Sequence, residues 1–166
     1  MSFYVVDSNF FIQAHRVNYP LDIAHSFWKQ VKTLADSGSI VSIDKVKKEI
    51  YDNNDALKNW CKENLPEAFF KETGPVMESY QKVTGWAISK SDQYKPGALA
   101  EFLDADEADA FIVAYALADP ANRIVVTQEI SEPNSKKKVK IPDACLALNV
   151  KYLNTIEMFR QLGVTF

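Results

Sequence analysis

The stretch FYVVDSNFFI, Phe3 to Ile12, decides the fold. Residues 3–7 are short, apolar and rich in β-branched and aromatic side chains, the pattern of a buried strand with a polar stop. The stop is a carboxylate, Asp7, followed at once by Ser8 and Asn9. An acid in that position is either the N-cap of a helix or one wall of a site. Which of the two it is depends on whether other acids reach the same place.

Working outward, strand and helix patterns alternate. Helical spacing follows over Phe10 to Val17 and over Asp22 to Asp36, with Gly38 as the C-terminal stop. Ser39 to Ile43 reads as a second strand, with Asp44 as N-cap of a helix over Lys45 to Tyr51. Two more helices are expected over Asn53 to Asn64 and Pro75 to Ser89, then a surface loop around Asp92 to Gly97. Asp104 to Ala118 predicts a helix, Arg123 to Thr127 a third strand, and Glu132 to Lys138 a polar loop. Pro142 opens a short helix, Val150 to Leu153 is a fourth strand, and Thr155 to Leu162 is a closing helix with Gly163 just past it. Short apolar strands alternating with helices predict an α/β domain with a mainly parallel sheet. One domain over residues 1–166 is expected, with a helical insertion over roughly 53–100.

Composition narrows the function classes. With 47% hydrophobic and 25% charged residues in 166, the chain has the make-up of an ordinary globular protein. Its longest apolar run, AFIVAYALA, falls well short of the roughly 20 residues of a membrane helix, so no membrane association is expected. The N-terminus lacks the features of an export signal, and Cys61 and Cys145 are isolated thiols, which read as buried small hydrophobes. A reducing, cytoplasmic setting follows from that usage. The net charge of −3 excludes adhesion to nucleic acid through overall basicity, while leaving room for a local basic rim.

In a parallel sheet, ligands bind beyond the carboxyl ends of the strands. Asp7 lies just past the first strand, Glu49 in the helix after the second, and Glu129 two residues beyond Thr127. Singly, each has an ordinary reading: Asp7 as an N-cap, Glu49 as a solvated acid among lysines, Glu129 as a loop residue. Asp109 does not, because it sits in EADAFIVAYALA, apolar almost all round. A lone carboxylate there is costly unless paired, protonated or bound to a cation. Acids gathered without His or Cys suit a hard cation, Mg²⁺ or Mn²⁺, rather than Zn²⁺. Such ions support phosphoryl transfer.

These residues resemble the motifs of the PIN-domain nucleases. Asp7-Ser8-Asn9 looks like that family's first motif, Glu49 its second acid, Ala108-Asp109-Ala110 its third, and Val126-Thr127-Gln128-Glu129 its fourth. Order and spacing match over essentially the whole chain. The family more often has Asp where Glu129 stands, and Asp143 in IPDACLAL is an alternative fourth acid, although an acid beside Pro142 also suits a helix N-terminus. The chain resembles in particular a bacterial PIN-like subset of about this length, for which toxin function is inferred by kinship. The resemblance implies a PIN-like three-layer α/β/α fold with a central, mainly parallel sheet of four to five strands. It also implies Mg²⁺- or Mn²⁺-dependent cleavage of RNA by a small cytoplasmic protein, commonly the toxin of a toxin–antitoxin pair. Such toxins are typically homodimeric and are held inactive by an antitoxin protein. Asp7 and Asp109 would hold the principal metal, with Glu49 and Glu129 completing the cluster, and Ser8, Asn9 and Thr127 would support them by hydrogen bonding. Asp106 and Glu107 lie close enough in sequence to substitute.

Lys45, Lys47, Lys48, Lys136, Lys137, Lys138 and Lys140 fall in segments expected near the acidic edge, as phosphate contacts or as solvated surface charge. Trp28, Trp60 and Trp86 read as core rather than as base-stacking platforms, and neither His15 nor His25 falls at a strand end. Three rival readings remain. An aspartyl-phosphate phosphatase needs a second acid where Asn9 stands. A Mg²⁺-dependent receiver domain needs a tighter strand–helix alternation. A PIN-like module that binds RNA or protein without cutting would have the fold without productive geometry.

Overall fold

The computed structural model describes residues 2–166. Five strands, β1 (Phe3–Val6), β2 (Ile40–Ile43), β3 (Phe70–Lys71), β4 (Arg123–Val126) and β5 (Tyr152–Leu153), form one sheet in the order β3-β2-β1-β4-β5. Every pairing is parallel, with Val5 opposite both Val41 and Val125. Nearly every residue of β1 and β2 is buried, as expected for a parallel sheet covered on both faces. The order reverses between β1 and β4: β2 and β3 extend one way, β4 and β5 the other. That reversal leaves a crevice at the carboxyl ends of β1 and β4.

Nine α-helices connect the strands among the described residues. They are α1 (Ser8–Gln13), α2 (His25–Asp36), α3 (Asp44–Tyr51), α4 (Ala56–Asn64), α5 (Met77–Ser89), α6 (Pro96–Leu103), α7 (Asp109–Leu117), α8 (Ile141–Ala147) and α9 (Thr155–Leu162). On one side α7 packs on β1, β2 and β4 and carries α5 alongside, where Tyr80 stacks on Phe111 at 4.0 Å. Around Phe27 of α2 a second aromatic group assembles from Phe10, Trp28, Phe159 and Phe166. Trp28 is buried, its indole N–H donating to the Tyr19 carbonyl at 2.7 Å, and Trp60 packs edge-on against it.

Several boundaries differ from the sequence expectation, each for a local reason. The first helix starts at Ser8, two residues early, because Asp7 caps it, and it continues as a π-helix over Ala14–Asn18. Asp44 is not the cap of α3 but its first residue. Its carboxylate instead takes the Thr73 N–H at 3.1 Å and the Thr73 hydroxyl at 2.9 Å, tying α3 to the segment after β3. The helix expected from Asp104 begins only at Asp109. Asp104 Oδ1 accepts from the Asp106 N–H at 2.9 Å, and the Asp104 carbonyl accepts from the Glu107 N–H, so the chain turns before it coils. Both β3 and α6 lie where no element was expected. Segment 53–100 thus contributes an edge strand as well as helices. Cys61 and Cys145 are buried free thiols, pushed up to about 12 chiefly by that burial. Among the described residues no helix is long and apolar enough to cross a membrane.

Candidate metal centre

Asp7 ends β1 at the crevice and is 3% exposed. It both caps a helix and walls a site. Its Oδ1 accepts from the Phe10 N–H at 3.0 Å, and its Oδ2 accepts from the Thr127 hydroxyl at 3.3 Å. Thr127 follows β4, and its Oγ1 also accepts the Glu129 N–H at 3.1 Å. One buried threonine therefore bridges the first and fourth acids across the switch point.

Asp109 opens α7, where the helix end favours a negative charge. Glu49 reaches over from α3, its Oε1 accepting from the Ala108 N–H at 3.2 Å, one residue ahead of α7. It therefore occupies an acceptor position at the start of the helix that carries Asp109.

The electrostatics tie these acids together. The Asp7 carboxyl is pushed up to about 7, first by burial; the Phe10 N–H opposes this, and the charges of Asp109 and Glu129 add to it. Asp109 is also pushed up to about 7, by burial and then by Glu129, with Lys138 opposing and Glu49 and Glu107 adding. Asp7, Asp109 and Glu129 are thus within electrostatic reach of one another, and Glu49 within reach of Asp109.

Other candidates are placed differently. Asp143 is buried on α8, where its oxygens accept from the Ser131 hydroxyl at 2.5 Å and the Glu132 N–H at 2.9 Å. It holds the loop after Glu129, and it is not among the largest charges acting on Asp7 or Asp109. Asp106 is exposed in the turn before α7, and Glu107 lines a small cavity with Asp109, Glu101 and Lys138. Among the described residues Ser8 and Asn9 donate no side-chain hydrogen bond to the acids, and Asn9 is exposed.

The lysines divide into two groups. Lys45 lies over the Phe111 ring at 4.9 Å, Lys47 over Tyr51 at 5.5 Å, and Lys48 pairs with Asp52 at 3.1 Å. Lys136 and Lys137 are exposed. Lys138 and Lys140 turn inward instead, their ammonium nitrogens 3.4 and 4.0 Å from Glu129 Oε2. This inward pair was not legible in the run SKKKVK, nor was Glu101, which comes from α6.

A hard cation suits this donor set by its chemistry, carboxylates without His or Cys. Glu129 Oε2 is buried and, among the described residues, faces only the Lys138 and Lys140 ammoniums, which leaves it an oxygen a cation could claim. As placed, no three acid, His or Cys side chains among the described residues are gathered closely enough to hold one ion. Lys138 meanwhile supplies positive charge to the acids.

The family described as Domain of unknown function (DUF4411) matches residues 4–166. No curated protein matches the chain. Among solved structures, the chain is similar to one described as VapBC2 from Rickettsia felis bound to a DNA fragment from their promoter. The likeness has a TM-score of 0.53 at 13% identity, covering 92% of this chain and 98% of that one. It bears out the PIN-like α/β fold expected from the sequence.

Proposed function

This chain belongs to the DUF4411 family, and we propose that it is a Mg²⁺- or Mn²⁺-dependent nuclease that hydrolyses RNA. The observation that carries the reading is the placement of Asp7, buried just past β1, and Asp109, first residue of α7, at the β1/β4 switch point, where burial pushes both carboxyls up. Carboxyl groups held at such cost in a crevice are characteristic of sites rather than of scaffolding. Asp7 and Asp109 would hold the cation, with Glu49 and Glu129 completing the set. When bound, the cation supplies charge to offset that of a phosphodiester and acidifies an attacking water. Thr127 fixes the Asp7 carboxylate and the backbone ahead of Glu129, so both acids keep their orientation. Glu49, held at Oε1 by the Ala108 N–H, would help hold the cation or orient the attacking water. Lys45, Lys47 and Lys48 on α3, with Lys136 and Lys137, would meet the phosphate backbone by charge alone.

The neighbour's description concerns a VapBC2 assembly. It supports extending the proposal to the toxin of a toxin–antitoxin pair with a protein partner, and the resemblance read from the sequence adds inhibition by that partner, a homodimer and a cytoplasmic setting to the proposal. A second reading, an RNA- or protein-binding module without cleavage, is favoured by Lys138 standing against Glu129. The deciding experiment is cleavage of a structured RNA pool by the purified chain with Mn²⁺, Mg²⁺ or EDTA, beside Asp7→Asn and Asp109→Asn. Metal-dependent cutting lost in both variants supports the nuclease. RNA binding indifferent to EDTA, with no cutting, supports the module.

A further inference from the structure

Resting on the metal-dependent reading above, we propose that Lys138 is the exchangeable counter-ion of the acid cluster, holding the place a divalent cation takes and thereby setting the affinity for it. The Glu129 side chain is 10% exposed, so its charge needs a neutralising neighbour. That neighbour is Lys138, its ammonium 3.4 Å from Glu129 Oε2 and held charged by Glu129 and Asp109. At 3.4 Å the contact is longer than the roughly 2.7–2.9 Å of a tight charge-assisted hydrogen bond, which makes it replaceable. Lys138 is 40% exposed on a flexible four-carbon stem, so its ammonium can return to water by rotating its own side chain.

The backbone around it is anchored. Gln93 Nε2 donates to the carbonyls of Pro133 and Ser135 at 2.8 and 2.9 Å, and the Lys95 N–H donates to the Lys136 carbonyl at 2.8 Å. Exchange thus requires a side-chain movement and no loop rearrangement. Lys140 is the weaker candidate, because it sits 4.0 Å from Glu129 and also serves Glu132 at 3.7 Å. The resident ammonium offsets part of the acids' negative charge. It also means that a cation entering the site meets positive charge already there.

The test is Mn²⁺ binding by the full chain at fixed pH and ionic strength, followed as loss of the free-ion electron paramagnetic resonance signal. Lys138→Met keeps the stem and removes the charge, and it is expected to tighten binding about tenfold, as loss of one partly screened repulsion would. Lys138→Arg should bind like the unchanged protein, Lys140→Met should show a smaller gain, and Lys29→Met on α2, an equal change in net charge, should show none. Near-ultraviolet circular dichroism checks folding, and Lys138→Gln replaces the Met variant if that one is misfolded. A gain under twofold in Lys138→Met, or an equal gain in Lys29→Met, overturns the proposal while leaving the metal centre intact. If Asp109→Asn binds Mn²⁺ as well as the unchanged protein, or if no chain binds it, the metal-centre reading falls and this inference with it.

Discussion

Replacing Asp7 with Asn should stabilise the metal-free protein at pH 8 and leave it nearly unchanged at pH 4. The substitution is close to isosteric: an Asn oxygen still accepts the Phe10 N–H, and Asn caps helices as well as Asp does. What disappears is a buried negative charge. The Asp7 carboxyl rises from 3.8 to about 7 in the folded state. A raised carboxyl pKa means that the native state keeps its proton to higher pH than the unfolded chain. Stability is therefore lost as pH climbs from about 4 to about 7, and the full deficit is present above that range. Three units at about 1.4 kcal/mol each set a ceiling of roughly 4 kcal/mol. For a chain of this size, a gain of roughly 2–4 kcal/mol corresponds to on the order of 5–10 °C in Tm. Urea denaturation with EDTA present, at pH 4 and pH 8, measures the difference directly. The reasoning is refuted if the variant is no more stable than the unchanged protein at pH 8, or if its advantage is the same at both pH values.

Further outcomes follow from other contacts at the site. Because the raised carboxyls mark unneutralised charge, Mn²⁺ at 100-fold above its Kd should stabilise the protein by about 2.7 kcal/mol, read as a Tm rise that EDTA reverses and Asp109→Asn lacks. Thr127→Val removes the hydroxyl shared by Asp7 and the Glu129 N–H, and it should lower stability by about 1–3 kcal/mol in urea denaturation and weaken Mn²⁺ binding. Asp143→Asn loosens the tie to Ser131 and Glu132, so its urea midpoint should fall while Mn²⁺ affinity stays within twofold; a large loss of affinity would make Asp143 a member of the cluster.

Residue order by itself determined the parts of this protein that depend on short-range pattern. FYVVD announces a buried strand ending on an acid, and RIVVTQE announces another, because a strand covered on both faces must be apolar throughout. Asp109 stood out as a carboxylate within an apparently all-apolar helix; the structure instead makes it the first residue of α7, with Glu129 the largest charge acting on it. The closing helix, expected over Thr155 to Leu162 with Gly163 just past it, runs over those residues; Gly163 takes a left-handed φ of 67°, and the structure adds a capping box of Asn154 and Glu157.

Only the tertiary structure decided the rest. β3 is two residues long and is a strand because Ser42 and Ile43 lie beside it, a pairing with no periodic signal. α7 starts at Asp109 because the Asp104 side chain claims the Asp106 N–H, a competition that helical spacing cannot reveal. Asp143 and Glu129 look alike as loop-proximal acids, and what separates them is which neighbours the fold presents: Ser131 and Glu132 to one, Lys138 and the Asp7–Asp109 pair to the other. Lys138 was one of a run of surface charges until the anchored loop turned it inward. Local chemistry specifies strands, caps and anomalies, whereas the charge balance of a site depends on distances between residues far apart in sequence, and those exist only once the chain has folded.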